Sequence, residues 1–200
     1  MGYSTPVSRY FSKMKVLDNA LLIMLNKLEE KGVLDDTVIV LTADHYPYGL
    51  KDEYISEFIS GDLDDYETER TPFVIYNPSI KSTKFADYTS YINILPTLAN
   101  LMGLEYDPRL YMGTDLFSDS YTSRVVFADG SWKNEYAYYN ASTSSIKYYT
   151  DKEYTVEEIN NINNIISDKL TISTSSIKLN YFNYLENKID EYNDSLQSSE

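Results

Sequence analysis

The chain has 200 residues, a formal net charge of −14 and a sequence pI of about 4.4. Such an acidic surface repels nucleic acid and anionic membrane surfaces, so we expect no nucleic-acid partner. The absence of cysteine excludes disulfides, zinc–thiolate sites and thiol catalysis. No stretch approaches the roughly 18 apolar residues of a membrane span. The first residues also lack the apolar core of a signal peptide, so we expect any anchor or export signal to lie outside this chain.

The first element predicted is an amphipathic helix over residues 8–31, where apolar residues recur at steps of three and four. Ser8 is its predicted N-cap. Lys27 and Lys31 lie in its last turn, where positive charge complements the helix dipole. Gly32 is expected to end the helix in the left-handed conformation.

Two strands and a further helix follow. Residues 37–43 form a continuous apolar and β-branched run, which is typical of a central parallel strand buried on both faces. Residues 71–78 predict a second strand after an acidic segment that holds one short helix and a loop. Residues 90–104 predict a helix with Pro96 in its first turn and Gly103 at its end. This alternation predicts an α/β fold.

The pattern changes after about residue 120. Short strands separated by turn residues at 129–130 and 140–145 predict a small antiparallel meander. Thr155 and Glu158 then form a capping box that opens a helix. A last helix is predicted over residues 176–192, and the final eight residues are expected to fray.

These elements predict two parts. Residues 1–119 are expected to form part of an α/β core with a parallel sheet. Residues 120–200 are expected to form a small α+β subdomain, which consists of the antiparallel meander and two C-terminal helices.

Asp44 and His45 directly follow the first predicted strand. In open parallel α/β sheets, ligands bind outside the carboxyl ends of the strands. A carboxylate and an imidazole suit a divalent ion such as zinc or manganese. His45 is the single histidine of the chain, so further ligands would be carboxylates, hydroxyls or residues outside it. The alternative is that His45 only caps the strand or bonds to Asp44.

The segment "SKMKVLDNALLIMLNKLEEKGVLDDTVIVLTADH" resembles the closing half of the sulfatase and alkaline-phosphatase-like superfamily. The segments "ERTPFVIYNP", "SYINILPTLANLMGL" and "YMGTDLFSD" follow in the order and spacing of that superfamily. The forms "DHY", "MGTDLFS" and "VVFADGSWKNEYAYYN" resemble most closely its lipoteichoic acid synthase and phosphoglycerol transferase branch. The resemblance covers roughly residues 8–190.

The resemblance implies that Asp44 and His45 are paired ligands of a catalytic Mn²⁺ or Zn²⁺ ion, or of Ca²⁺ in a true sulfatase. It implies that the nucleophile, a threonine, and a further carboxylate ligand belong to an N-terminal half of the same enzyme. This chain alone is then expected to be inactive. The implied reaction transfers glycerol phosphate from an anionic lipid to a growing polymer. It takes place at the outer face of a bacterial membrane, with the anchoring helices outside this chain.

Arg70 precedes the second strand and is a candidate to bind a substrate phosphate or carboxylate. The alternative is a surface salt bridge among Asp65, Glu67 and Glu69. Asn93, where sulfatases often have aspartate, is interpreted as structural. Two other functions stay open. One is sulfuric ester hydrolysis, and the other is a non-catalytic accessory module that binds polymer or sugar through its many tyrosines.

Overall fold

The computed structural model describes residues 2–59 and 67–197. The chain divides into two compact units between Lys84 and Phe85. Residues 85–119 belong to the second unit, and they bond to the meander, for example where the Val126 amide donates to Ser90 Oγ at 3.1 Å. The domain boundary expected after residue 119 stays a prediction.

Helix α1 spans Thr5–Glu30 and begins earlier than predicted. Ser4 occupies its N-cap position without a side-chain capping bond, and Pro6 lies in the first turn, where a missing N–H costs nothing. Ser8 lies inside the helix, so its prediction as N-cap was wrong. Gly32 has a φ of 67°, which confirms the predicted left-handed helix end. Among the described helices, none is long and apolar enough to cross a membrane.

Strands β1 (Ile39–Thr42) and β2 (Phe73–Tyr76) form a two-stranded antiparallel sheet. The α/β class is confirmed. The parallel sheet expected for this part of the chain was wrong for β1 and β2, because these two strands pair antiparallel. A parallel connection needs a crossover helix long enough to cover the sheet. The described part of the connection holds only a one-turn helix α2 (Asp52–Ile55) and a 3-10 turn (Glu67–Glu69). Strand β1 is also half-buried or exposed, where burial on both faces was expected.

The second unit begins with helix α3 (Ile94–Leu101), which a 3-10 turn (Tyr91–Asn93) precedes. Pro96 lies in the first turn of α3, as predicted. Gly103 has a φ of 65°, which confirms the predicted end of this helix.

The predicted antiparallel meander is confirmed. Its four strands pair in chain order, and Gly130, with a φ of 88°, lies in the first turn. The strands are β3 (Val125–Val126), β4 (Trp132–Lys133), β5 (Ala137–Asn140) and β6 (Ser145–Tyr148).

Two helices close the chain. Helix α4 (Val156–Lys178) opens with the predicted capping box, and it runs on past the predicted start of the last helix. The turn comes at Asn180, which takes a left-handed φ of 52°, so α5 spans Tyr181–Gln197. Most of the tail that was expected to fray thus continues α5 as far as Gln197, and the last three residues lie outside the described part of the chain.

The core of the second unit lies between the meander and α4. Trp132 is fully buried and packs with Ala137, Ile162 and Ile166. The Trp132 indole N–H donates to Asn163 Oδ1 at 2.9 Å, so its polar atom is also satisfied. This core fixes the meander against α4.

Candidate functional site

Asp44 and His45 lie just beyond the end of strand β1. Within a strand, neighbouring side chains point to opposite faces. Here the backbone leaves the strand and turns, as the Tyr48 amide donates to the Tyr46 carbonyl oxygen at 2.8 Å. As a result, His45 Nε2 lies 3.5 Å from Asp44 Oδ1. The structure therefore brings the two predicted ligands together.

The surroundings of the His45 ring select the tautomer of its neutral form. Its Nδ1 lies 2.7 Å from the carbonyl oxygen of Tyr46. A carbonyl oxygen only accepts, so Nδ1 carries the hydrogen in the neutral ring and Nε2 carries the free lone pair. The ring also packs against Tyr48, with 4.5 Å between ring centroids. Together these contacts point the lone pair of His45 toward Asp44.

This geometry suits a metal ion. A tetrahedral ion with nitrogen and oxygen ligands at about 2.1 Å holds those atoms about 3.4 Å apart. The observed separation of 3.5 Å between Nε2 and Oδ1 matches that spacing. Metal-binding histidines usually donate their other ring N–H to a carbonyl or carboxylate, as His45 does to Tyr46. The donor set is therefore compatible with a divalent ion, and the same 3.5 Å contact is also what the alternative of a His45–Asp44 interaction predicts.

The pair supplies only part of a metal site. Among residues 2–59 and 67–197, no group of three or more His, Cys, Asp or Glu side chains is arranged to hold an ion. The Asp44 side chain is 89% exposed and that of His45 is 50% exposed, so both are accessible from solvent. Metal binding by Asp44 and His45 therefore stays a prediction, and it would need further ligands beyond this pair.

Arg70 lies on the surface next to the 3-10 turn before β2. Its Nη1 lies 3.2 Å from Glu67 Oε2, and its side chain is 80% exposed. The contact with Glu67 supports the alternative of a surface ion pair, which contributes at most about 1 kcal/mol. Two other acidic residues were expected to take part in this ion pair. Asp65 lies outside the described residues. Glu69 is described, and burial raises the pKa of its carboxyl. Substrate binding by Arg70 stays a prediction.

The sequence reasoning missed a structural clamp in the second unit. Asn93 and two polar residues on the same face of α3, four and seven positions later, bind the "GTDL" segment. The bonds join Thr114 N to Asn93 Oδ1 (2.9 Å), Leu116 N to Thr97 Oγ1 (3.1 Å) and Asn100 Nδ2 to Asp115 Oδ2 (2.7 Å). Asn93 thus has the structural role predicted for it. The helical spacing of polar residues in an apolar helix is the sequence signal from which this clamp could have been predicted.

Gly113 lets the clamp close. A Cβ atom at this position would lie 1.9 Å from the carbonyl oxygen of Ile92. Only glycine permits this approach of two backbone segments, so the residue is required by packing.

Comparison with known proteins places this chain in a family. The Sulfatase family profile matches residues 3–104. The chain is 29% identical over 179 residues to lipoteichoic acid synthase 1 of Bacillus subtilis, covering 84% of this chain and 27% of the relative. It is 28% identical over 178 residues to the lipoteichoic acid synthase-like YvgJ of the same organism, covering 82% and 29%. It is 31% identical over 146 residues to lipoteichoic acid synthase of Staphylococcus saprophyticus, covering 70% and 22%.

These similarities agree with the resemblance seen in the sequence motifs. The chain spans about a quarter of the length of the relatives it matches. The family profile covers just over half of the 200 residues, including β1, β2, α3 and the Asp44–His45 pair. The chain therefore belongs to the sulfatase family.

Proposed function

We propose that this chain is the C-terminal part of a metal-dependent phosphoglycerol transferase of the lipoteichoic acid synthase kind. In this proposal Asp44 and His45 hold the divalent ion. The observation that carries it is the pairing of His45 Nε2 with Asp44 Oδ1 at 3.5 Å, with the opposite ring nitrogen bonded to a carbonyl. Similarity to lipoteichoic acid synthases over most of the chain supports the branch.

In this proposal Asp44 and His45 contribute differently to binding the ion. Asp44 supplies negative charge, and His45 supplies a neutral nitrogen whose orientation the Tyr46 carbonyl and the Tyr48 ring fix. A mixed nitrogen and oxygen set favours Mn²⁺ or Zn²⁺, whereas Ca²⁺ prefers oxygen ligands alone. A bound ion of this kind would activate a hydroxyl nucleophile and offset the charge of phosphoryl oxygens. The donor set therefore favours phosphoryl transfer over a calcium-dependent sulfatase.

The proposal assigns the remaining ligands and the nucleophilic threonine to an N-terminal half of the same enzyme. The relatives are several times longer than this chain, which supports such a half. Helix α1 also leaves apolar side chains in water, at Val16, Leu17, Leu22 and Ile23. Burying apolar surface away from water stabilises a protein by about 25 cal/mol of free energy per Å². The N-terminal half would cover part of this exposed apolar surface of α1.

The proposed substrate is an anionic glycerophospholipid or its polymer product, at the outer face of a bacterial membrane. In a chain of net charge −14, positive charge for such a substrate must come from the ion and from selected cations. Arg70 is the proposed cation near β2, and its exposed guanidinium is accessible to a ligand.

Metal binding is tested on the 200-residue chain by NMR. His45 is the single histidine, so its ring protons are resolved and assigned without ambiguity. We expect Mn²⁺ to broaden the His45 ring signals at low stoichiometry, and Asp44→Asn to weaken this effect about tenfold or more. Asp36→Asn removes the same charge from an exposed position before β1 and is the matched control. Equal broadening in Asp44→Asn and Asp36→Asn would contradict the metal site.

Activity is tested in the proposed full-length enzyme with phosphatidylglycerol vesicles. We expect Mn²⁺-dependent release of diacylglycerol, its loss in Asp44→Asn and its retention in Asp36→Asn. Hydrolysis of 4-nitrophenyl sulfate without diacylglycerol release would establish the sulfatase alternative. Polymer binding that persists in chelator, with no turnover, would establish the accessory module.

A further inference from the structure

The second unit contains a pocket of about 270 Å³ beside the clamp between α3 and the "GTDL" segment. Thr114, Arg124 and Lys169 form part of its polar wall, and Ile165 and Ile166 of α4 form part of its apolar wall. The whole chain has 31 acidic and 17 basic residues. Nevertheless, among the described residues that line this pocket, the charged ones are both basic: Arg124 and Lys169. The pocket is thus locally positive in an acidic protein.

Arg124 is held in place by groups that leave its guanidinium charge unneutralised. Its backbone amide donates to the Tyr88 carbonyl oxygen at 3.0 Å, and its guanidinium carbon lies 5.4 Å from the centroid of the Trp132 ring. Its Nε is buried and has no hydrogen-bond partner among the described residues. Burial lowers the pKa of Arg124, which Tyr154 and Glu135 partly oppose from a distance. A buried donor without a partner is costly, so the hydrogen bonding of this guanidinium is incomplete within the protein. The buried Nε is itself inaccessible, so in the proposal below an anionic ligand would be held by the terminal N–H groups.

Lys169 provides the second cation of this pocket. Its Nζ donates to the Met112 carbonyl oxygen at 3.0 Å. An ammonium group has three N–H donors, so two remain for a ligand. Thr114 and Thr122 line the same pocket, and each carries a hydroxyl that can act as a neutral donor. A guanidinium, an ammonium and hydroxyls together are the groups that bind phosphate oxygens in proteins.

We propose that this pocket binds a phosphate group, either as inorganic phosphate or as the ester of a short alcohol. Arg124 would donate to two phosphate oxygens as a planar fork, and Lys169 would add a second positive charge. The volume is slightly below the roughly 300–1,000 Å³ of pockets for drug-sized ligands, which suits a small ester. The proposal uses none of the residues of the Asp44–His45 pair, so it stands or falls independently of the proposed function.

The test uses Trp132, the single tryptophan of the chain, whose ring contacts Arg124. The full 200-residue chain is titrated with inorganic phosphate and with glycerol 3-phosphate at constant ionic strength, and Trp132 fluorescence is recorded. We expect a saturable change with one or both, and no such change with acetate. Tighter binding of glycerol 3-phosphate identifies an ester site, and equal binding identifies a site for the phosphate group alone.

Two variants and a control decide the assignment. Lys169→Gln should raise the dissociation constant about tenfold, which corresponds to about 1.4 kcal/mol. Arg124→Met should abolish the rise in thermal midpoint that phosphate gives to the unmodified chain, while the ligand-free protein stays folded by circular dichroism. Arg109→Gln removes an exposed arginine that is paired with Asp107 outside this pocket, and it should bind as the unmodified chain does. Absence of a saturable change, or binding that is unaltered in Lys169→Gln and Arg124→Met, would overturn the proposal.

Discussion

The Asp44–His45 pair shows how the backbone decides the chemistry of two adjacent residues. In a continuous strand the carboxylate and the imidazole would lie on opposite faces. The turn that follows β1 removes this restriction, and the Tyr46 carbonyl then selects which ring nitrogen keeps its lone pair. The residue types made a metal site plausible, but the ring orientation depends on a carbonyl whose direction no sequence pattern specifies.

Gly113 carries the sharpest prediction for a single residue. We expect Gly113→Ala to destabilise the protein by about 3 kcal/mol or more, because the new Cβ would lie 1.9 Å from the Ile92 carbonyl oxygen. Chemical denaturation followed by circular dichroism measures this change. Gly49→Ala is the matched control, since nothing lies within 4 Å of a Cβ there. A loss as small as that of the control would show that the segments separate without cost.

At the scale of an element, the N-terminus of α4 is fixed by local sequence. The Thr155 amide donates to Glu158 Oε2 at 2.7 Å, and the Glu158 amide donates to Thr155 Oγ1 at 3.2 Å. We expect Thr155→Ala to lower the free energy of unfolding by about 1 kcal/mol, because an amide of the first turn loses its acceptor. Thr174→Ala, at an exposed position inside the same helix, should be neutral or slightly stabilising. Urea denaturation of both variants checks the difference, and equal losses would mean that the cap contributes nothing.

The same capping box predicts a pH dependence. Hydrogen bonds from Thr155 lower the pKa of the Glu158 carboxyl below its ordinary value of 4.5. The stabilisation is therefore present above the pKa of the unfolded state, and it is lost as pH falls through the lower pKa of the folded state. We expect Glu158→Gln to lower the thermal midpoint at neutral pH. As the pH falls below 4.5, the difference in thermal midpoint between the variant and the unmodified chain should shrink. Glu157→Gln, also in the first turn, is the control. A similar pH-dependent effect in this variant would mean that the loss of a negative charge near the helix N-terminus, and not the loss of the capping bond, causes the change.

Elements defined by local signals were predicted well. The helix ends at Gly32 and Gly103, the meander and the capping box are all confirmed, because each depends on residues close together in the chain. The start of α1 and the break at Asn180 were missed, because several residues there have similar local preferences and packing selects among them.

At the scale of the whole molecule, the boundary between the two compact units is the feature most open to test. Residues 81–90 have neither helix nor strand, and Lys81 and Lys84 are exposed within them. Proteases cut exposed irregular segments first, because they require local unfolding of the chain. We expect limited trypsin digestion to cut first after Lys81 or Lys84, as identified by mass spectrometry of the fragments.

The control for this cleavage is the double variant Lys81→Gln with Lys84→Gln, in which the first cut should be slowed. Lys133 in β4 and Lys169 in α4 lie within regular structure and should be cut late. Early cleavage at either of these would contradict the prediction that the segment between the two units is cut first.

The sequence by itself determined the α/β class, the meander, the helix ends at Gly32 and Gly103 and the family motifs, since these follow from local conformational preferences and from the order of segments. Only the tertiary structure decided that β1 and β2 run antiparallel, that Asn93 and Gly113 clamp the segment after α3, and that Arg124 and Lys169 share one pocket. Each of these joins residues distant in the chain. Their contacts depend on how the backbone packs, and the free energy of packing is a property of the whole folded unit.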